Sequence, residues 1–100
     1  MRMDKRKLLD EFCAEARKRE LQGMQTYGPF DPEEDTRNLS QEAQDEVIDV
    51  LNYMRFFHRK YPDAYEHNLS VRRLAFSLYC ALRELEVLEL TLTPKKGGTP

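Results

Sequence analysis

Residues 39–59 read LSQEAQDEVIDVLNYMRFFHR. Apolar side chains recur at Ala43, Val47, Val50, Leu51, Met54 and Phe57. Steps of three and four are the period of one helical face, so these positions form the expected buried stripe. Asn38 or Ser40 suits an N-cap, and Gln41 stands three residues after Asn38 as in a capping box. Pro62 sets the far end, because it pushes Tyr61 towards extended backbone. The stretch predicts a helix from about Leu39 to Arg59.

The neighbouring segments read as helices of the same kind. Leu8, Leu9, Phe12, Cys13 and Ala16 give a stripe to a helix from about Asp4 to Gln22, with Gly23 as its stop. GMQTYGPFDPEEDTRN, residues 23–38, holds two Gly, two Pro and an acidic patch and reads as a long loop. PDAYEHN after Tyr61 is a connector with room for one short helical turn. A third helix is expected from about Leu69 or Ser70 to Leu90. Its leucines at 74, 78, 82, 85, 88 and 92, with Ala81, come close to a heptad seam, the pattern of packing along another long helix, such as one from a second subunit. No repeat and no alternating strand pattern is present. The fold class is all-α, a small helical bundle of three principal helices in one domain over residues 1–92. TPKKGGTP, ending the chain, reads as a disordered tail over 93–100.

With 100 residues, 40% of them hydrophobic and 34% charged, the chain fits one globular domain. Three helices at this size make a thin core, so oligomerisation is expected to complete it. No signal core and no run of about 18 apolar residues occurs, which argues against a membrane partner and for a cytoplasmic protein. Cys13 and Cys80 are too far apart in sequence to suggest a disulfide framework. With His58 and His67 they show no zinc-ligand spacing. Net charge is −2, but residues 28–54 hold eight acidic side chains and one basic one. An acidic centre between mildly basic ends suits a cation site better than a nucleic-acid surface.

The acids concentrate on the middle helix. Glu42, Asp45, Glu46 and Asp49 fall inside a sector of about 100°, and Tyr53 continues the line. Four like-charge pairs at i,i+3 or i,i+4 cost the helix roughly 1–2 kcal/mol together. The helix dipole offsets some of this for Glu42 alone. Three explanations stand: a solvated acidic face, pairing with basic residues of another helix such as Arg17, Lys18, Arg72 or Arg73, or a carboxylate cluster for Mg²⁺ or Mn²⁺. A metal of that kind is commonly shared with substrate phosphates.

EAQDEVIDVLNY, preceded by GMQTYGPFDPEEDTRN, resembles the short MazG-like all-α nucleoside triphosphate pyrophosphohydrolases over about residues 20–57. The resemblance implies a helical bundle working as a homodimer or homotetramer. It implies Mg²⁺ (or Mn²⁺) held by acids of adjacent helices and cleavage of a nucleoside triphosphate to monophosphate and pyrophosphate. Glu46 and Asp49 match the family's Glu-x-x-Asp pair and would be metal ligands with catalytic roles, joined by Glu42 and, as a ligand, Asp45. Beside such a site Tyr27, Gly28 and Phe30 suit either a base pocket or plain packing of the loop onto the bundle, and Arg37 and Arg55, which bracket the acidic helix, suit either phosphate contacts or ordinary solvation and ion pairing. The family's Glu-x-x-Glu pair on a preceding helix has no clean counterpart. Glu42-x-x-Asp45, Glu11 with Glu15, and Glu86-x-x-Glu89 are the nearest acids. The alternative is therefore a non-catalytic helical oligomer, a protein-interaction or nucleotide-binding module with an incomplete metal site.

Overall fold

The structure is a computed structural model, and the residues described are 3–93. It contains three α-helices, α1 (Lys5–Tyr27), α2 (Leu39–Lys60) and α3 (Tyr65–Glu89), with one 3-10 turn at Pro62–Ala64 and no strand among the described residues. The all-α class and the three principal helices are as expected. The expected disordered tail lies, apart from Thr93, outside the described residues. Two compact units share the chain, one running to Asp35 and the other beginning at Thr36.

The first unit is α1 and the turn that follows. Asp4 caps α1, its Oδ1 accepting from the N–H groups of Arg6 at 3.1 Å and Lys7 at 3.3 Å. The helix does not stop at Gly23. Glycine is a poor helix former, but its helical backbone is unstrained, and nothing nearby needs a turn there. The stop is Gly28, with φ 81° and ψ 175°, a region open essentially to glycine alone. Its N–H reaches back to the Met24 carbonyl at 2.8 Å. α1 is thus one turn longer than its sequence suggested, and the loop begins at Gly28. The expected buried stripe is absent: no residue of α1 is buried. A unit with a single helix has no second surface for Leu8, Leu9, Phe12, Cys13 and Ala16 to pack on.

The second unit is an antiparallel hairpin of α2 and α3. Asn38 caps α2, its Oδ1 accepting from Gln41 N–H at 2.9 Å. His58, Arg59 and Lys60 occupy the last turn, where cations favour the helix dipole. The Tyr61 N–H closes the helix on Phe57 O at 2.7 Å, and Pro62 opens the 3-10 turn that reverses the chain.

Two lines of residues make the seam. On α2 they are Ser40, Gln44, Val47, Met54 and His58, with the more exposed Leu51 at the edge. On α3 they are Asn68, Arg72, Ala75, Tyr79, Leu82, Glu86 and Glu89, every one buried or half-buried. Both lines step by four and three, the spacing of knobs-into-holes packing. The only buried hydrophobic residues among those described are Val47 and Ala75. Polar groups fill much of the rest. Gln44, 1% exposed, donates from Nε2 to Glu86 Oε2 at 3.0 Å and lies 3.4 Å from the Leu82 carbonyl. Asn68, 4% exposed, donates to the Met54 carbonyl at 2.8 Å near the closed end.

One expectation about burial, that for α2, is corrected here. Of the predicted α2 stripe, Val47 is buried and Ala43 and Met54 are half-buried, while Val50, Leu51 and Phe57 remain exposed. On α3 the leucine line, Leu82 apart, does not face α2. The facing line lies one residue along, where small Ala75 permits close approach and Asn68, Glu86 and Glu89 find hydrogen bonds. Leu74, Leu78, Leu85 and Leu88 are exposed.

Candidate functional site

The four acids of α2 stand together, as their spacing requires. Glu42, Asp45, Glu46 and Asp49 are all exposed, on the sector turned away from the α3 seam. Asp45 Oδ1 accepts from Gln41 Nε2 at 3.1 Å. No described cation pairs with any of them. Among the proposed partners, Arg17 pairs with Glu20 of its own helix at 2.6 Å. Arg72 lies in the hairpin seam, its Nε buried without a hydrogen-bond partner.

The acids form a line along one helix and not a cup. Among the described residues no three Asp, Glu, His or Cys side chains converge closely enough to hold a metal ion. Successive acids on one face climb about 5 Å per turn, so a compact Mg²⁺ shell needs donors from another element, from waters or from a substrate. The donor chemistry itself suits the ion, because exposed carboxylate oxygens are what Mg²⁺ and Mn²⁺ take.

Of the acids on other helices named as possible completions, Glu15, Glu86 and Glu89 have other engagements. Glu15 accepts from Arg19 Nε at 3.3 Å on α1. Glu86 holds Gln44. Glu89 crosses from the end of α3 to the start of α2 and accepts from Leu39 N–H at 2.9 Å, Ser40 N–H at 3.0 Å and the Ser40 hydroxyl. The hydroxyl is the largest cause of a Glu89 carboxyl pKa below the usual carboxylate value. The Ser40 and Leu39 N–H groups add to the lowering, and partial burial opposes it. A carboxylate here satisfies the first free N–H groups of α2 and complements its dipole. Glu86-x-x-Glu89 is thus part of the hairpin's closure. Sequence reading missed this because a capping acid 49 residues away leaves no local signature.

The other predicted contacts are placed as follows. Tyr27 is the last residue of α1 and is 89% exposed. Arg37 stands just before the cap of α2 and has an interaction partner. Arg55 is exposed on α2 but about 120° around the helix from Asp49, outside the acidic sector. Cys13 and Cys80 are free and exposed. No described helix is long and apolar enough to cross a membrane. No protein-family model, curated protein or solved structure matches the chain.

Proposed function

We propose that the chain is a Mg²⁺-dependent nucleoside triphosphate pyrophosphohydrolase in which α2 supplies one wall of the metal site. The observation carrying this is the solvent-facing set Glu42, Asp45, Glu46 and Asp49, held on one sector with no cationic partner among the described residues. Glu46 and Asp49 bind the metal, with Asp45 beside them. Glu42, one turn before Glu46, orients the attacking water and accepts its proton. A bound divalent cation would neutralise charge on the phosphate oxygens and lower the pKa of a coordinated water. Oxygen–phosphorus bond formation at the α-phosphorus accompanies breakage of the α–β anhydride, and pyrophosphate leaves. In this reading Arg37, just before the cap of α2, contacts the nucleotide, the protein is cytoplasmic, and it works as a homodimer or homotetramer.

The test is pyrophosphate release from a panel of ribo- and deoxynucleoside triphosphates with Mg²⁺ or Mn²⁺. Turnover by the wild type that falls to background in Glu46→Gln and in Asp49→Asn is expected. Turnover that survives both substitutions, or none on any substrate, contradicts the proposal. A second reading has its own observation. No three ligating side chains converge among the described residues, as in a non-catalytic helical oligomer that binds a protein or nucleotide. Such a protein would bind nucleotide without releasing pyrophosphate.

A further inference from the structure

Two hollows of the α2–α3 hairpin differ in what their polar groups do. The smaller, about 230 Å³, lies between Phe57, His67 and Val71, and its amide, Asn68, already donates to the Met54 carbonyl. The larger is a groove of about 300 Å³ bordered by Ile48 and Leu51 of α2 and by Phe76 and Tyr79 of α3, over a buried floor of Val47 and Ala75. Arg72 lines it as well. Its Nε is buried without a hydrogen-bond partner. No carboxylate among the described residues pairs with its guanidinium.

A buried donor left unpaired is destabilising, the more so when it belongs to a charged group among apolar side chains. The planar guanidinium matches the two oxygens of a carboxylate. The Tyr79 phenol offers a further donor. Every other side chain of the lining is aliphatic or aromatic. A cation at one place and hydrocarbon beyond it select a ligand with an anionic head and an apolar body.

Size and charge narrow the class. The lining positions 47–51 and 72–79 span only about 6 Å and 10 Å along their helix axes, and the volume stands at the low end of small-molecule sites, about 300 Å³. That length holds a short chain and is less than a long partner helix would cover. Arg55 follows Leu51 by one turn on α2, so the rim towards the closed end of the hairpin is also positive. Asp45, the acid of α2 turned least from this flank, lies about 9 Å from Leu51 towards the open end. The anionic head therefore belongs at the Arg72 end and the chain over Ile48, Phe76 and Tyr79.

We propose that this groove binds a small amphipathic carboxylate of the short- to medium-chain fatty acid class, its head on Arg72. The inference rests on the hairpin alone and is independent of the metal reading.

The test is a titration of the metal-free full chain with sodium octanoate below its micellar range, read from backbone amide shifts by NMR. Octanol and octylammonium are the uncharged and cationic controls. Saturable one-to-one binding with shifts centred on Ile48, Leu51, Phe76 and Tyr79 is expected, at least about tenfold tighter than for either control. Arg72→Met should weaken octanoate at least about tenfold, whereas Arg73→Met, one residue outside the groove, should leave it unchanged. Should Arg72→Met lose its helices, Ile48→Glu decides the case. It sets a carboxylate on the exposed rim facing Arg72 and should likewise weaken octanoate while the amide spectrum stays folded. Equal affinity for the three ligands, shifts centred elsewhere, or binding that survives Arg72→Met or Ile48→Glu overturns the proposal. Silence with octanoate, while a leucine-rich helical peptide carrying one glutamate shifts the same amides, also overturns it and gives the groove to a partner helix.

Discussion

Two lines run side by side along α3. The first, from Asn68 through Arg72, Ala75, Tyr79, Leu82 and Glu86 to Glu89, packs on α2. The second, from Leu74 through Leu78, Ala81 and Leu85 to Leu88, is offset by one residue and stays exposed. The more polar line is inside and the more aliphatic one outside. Hydrogen bonds explain the first placement. Gln44, Asn68 and Glu89 each fix one point along the hairpin, so a slip of register leaves buried polar groups unpaired. An aliphatic seam fixes register less sharply, because a slip leaves no buried polar group unpaired.

Substitutions on the two lines should separate accordingly. Gln44→Ala removes the amide donor to Glu86, leaving that carboxylate only Arg83 Nε at 3.9 Å, and opens a hole in the seam. A loss of about 1–3 kcal/mol is expected in denaturant unfolding. Leu74→Ala, measured where the chain is monomeric, is expected within about 0.5 kcal/mol of wild type. Equal losses from the two would erase the distinction between the lines.

The two glycines of α1 give a second, smaller contrast. Gly28→Ala forces a side chain into a backbone region that excludes it, and a cost of about 1–2 kcal/mol in helix stability is expected. Gly23→Ala, inside the helix with open space around its Cβ position, should add about 0.5–1 kcal/mol. Circular dichroism of the two variants reads both signs. A loss in Gly23→Ala would mean that α1 breaks there after all.

Comparable to the Gly23 effect is that of charge on α2. Glu46→Gln/Asp49→Asn removes three of the four like-charge pairs and should raise metal-free stability by about 0.6–1.5 kcal/mol. A destabilised variant would point to a cationic partner from another helix or subunit. The last contrast concerns pH. The Glu89 carboxyl titrates below its unfolded value, so its stabilisation is complete above the ordinary carboxylate range. That stabilisation is lost as pH falls through the lowered value. Glu89→Gln should flatten this acid limb of the stability profile, and an unchanged limb would show that the contact to Ser40 carries no linkage.

The helices were legible because their signals are local. Asn38, Gln41 and Pro62 mark the bounds of α2 within a few residues of where they act, and the period of three and four marks its stripe. The seam of α3 was not legible, because its line contains Asn68, Arg72, Glu86 and Glu89, which hydropathy assigns to a surface. Their partners lie across the hairpin, up to 50 residues away for Leu39 and Glu89. Gly23 and Gly28 misled for a related reason, since composition marks a glycine but only backbone geometry shows which one needs a positive φ. The acidic sector of α2 was read correctly as a face because 3.6-residue geometry fixes it. Its role depends on groups outside that helix.

The most direct measurement of that role is the melting temperature of the chain against Mg²⁺ and Mn²⁺ concentration, with and without a nucleoside triphosphate, beside Glu46→Gln/Asp49→Asn. A metal at 100 times its Kd stabilises the native state by about 2.7 kcal/mol. A wild-type transition that climbs with metal, climbs further with nucleotide and stays fixed in the double variant is the expected result. A wild-type transition unmoved by millimolar metal, nucleotide present or not, would contradict a metal-binding role for Glu42, Asp45, Glu46 and Asp49.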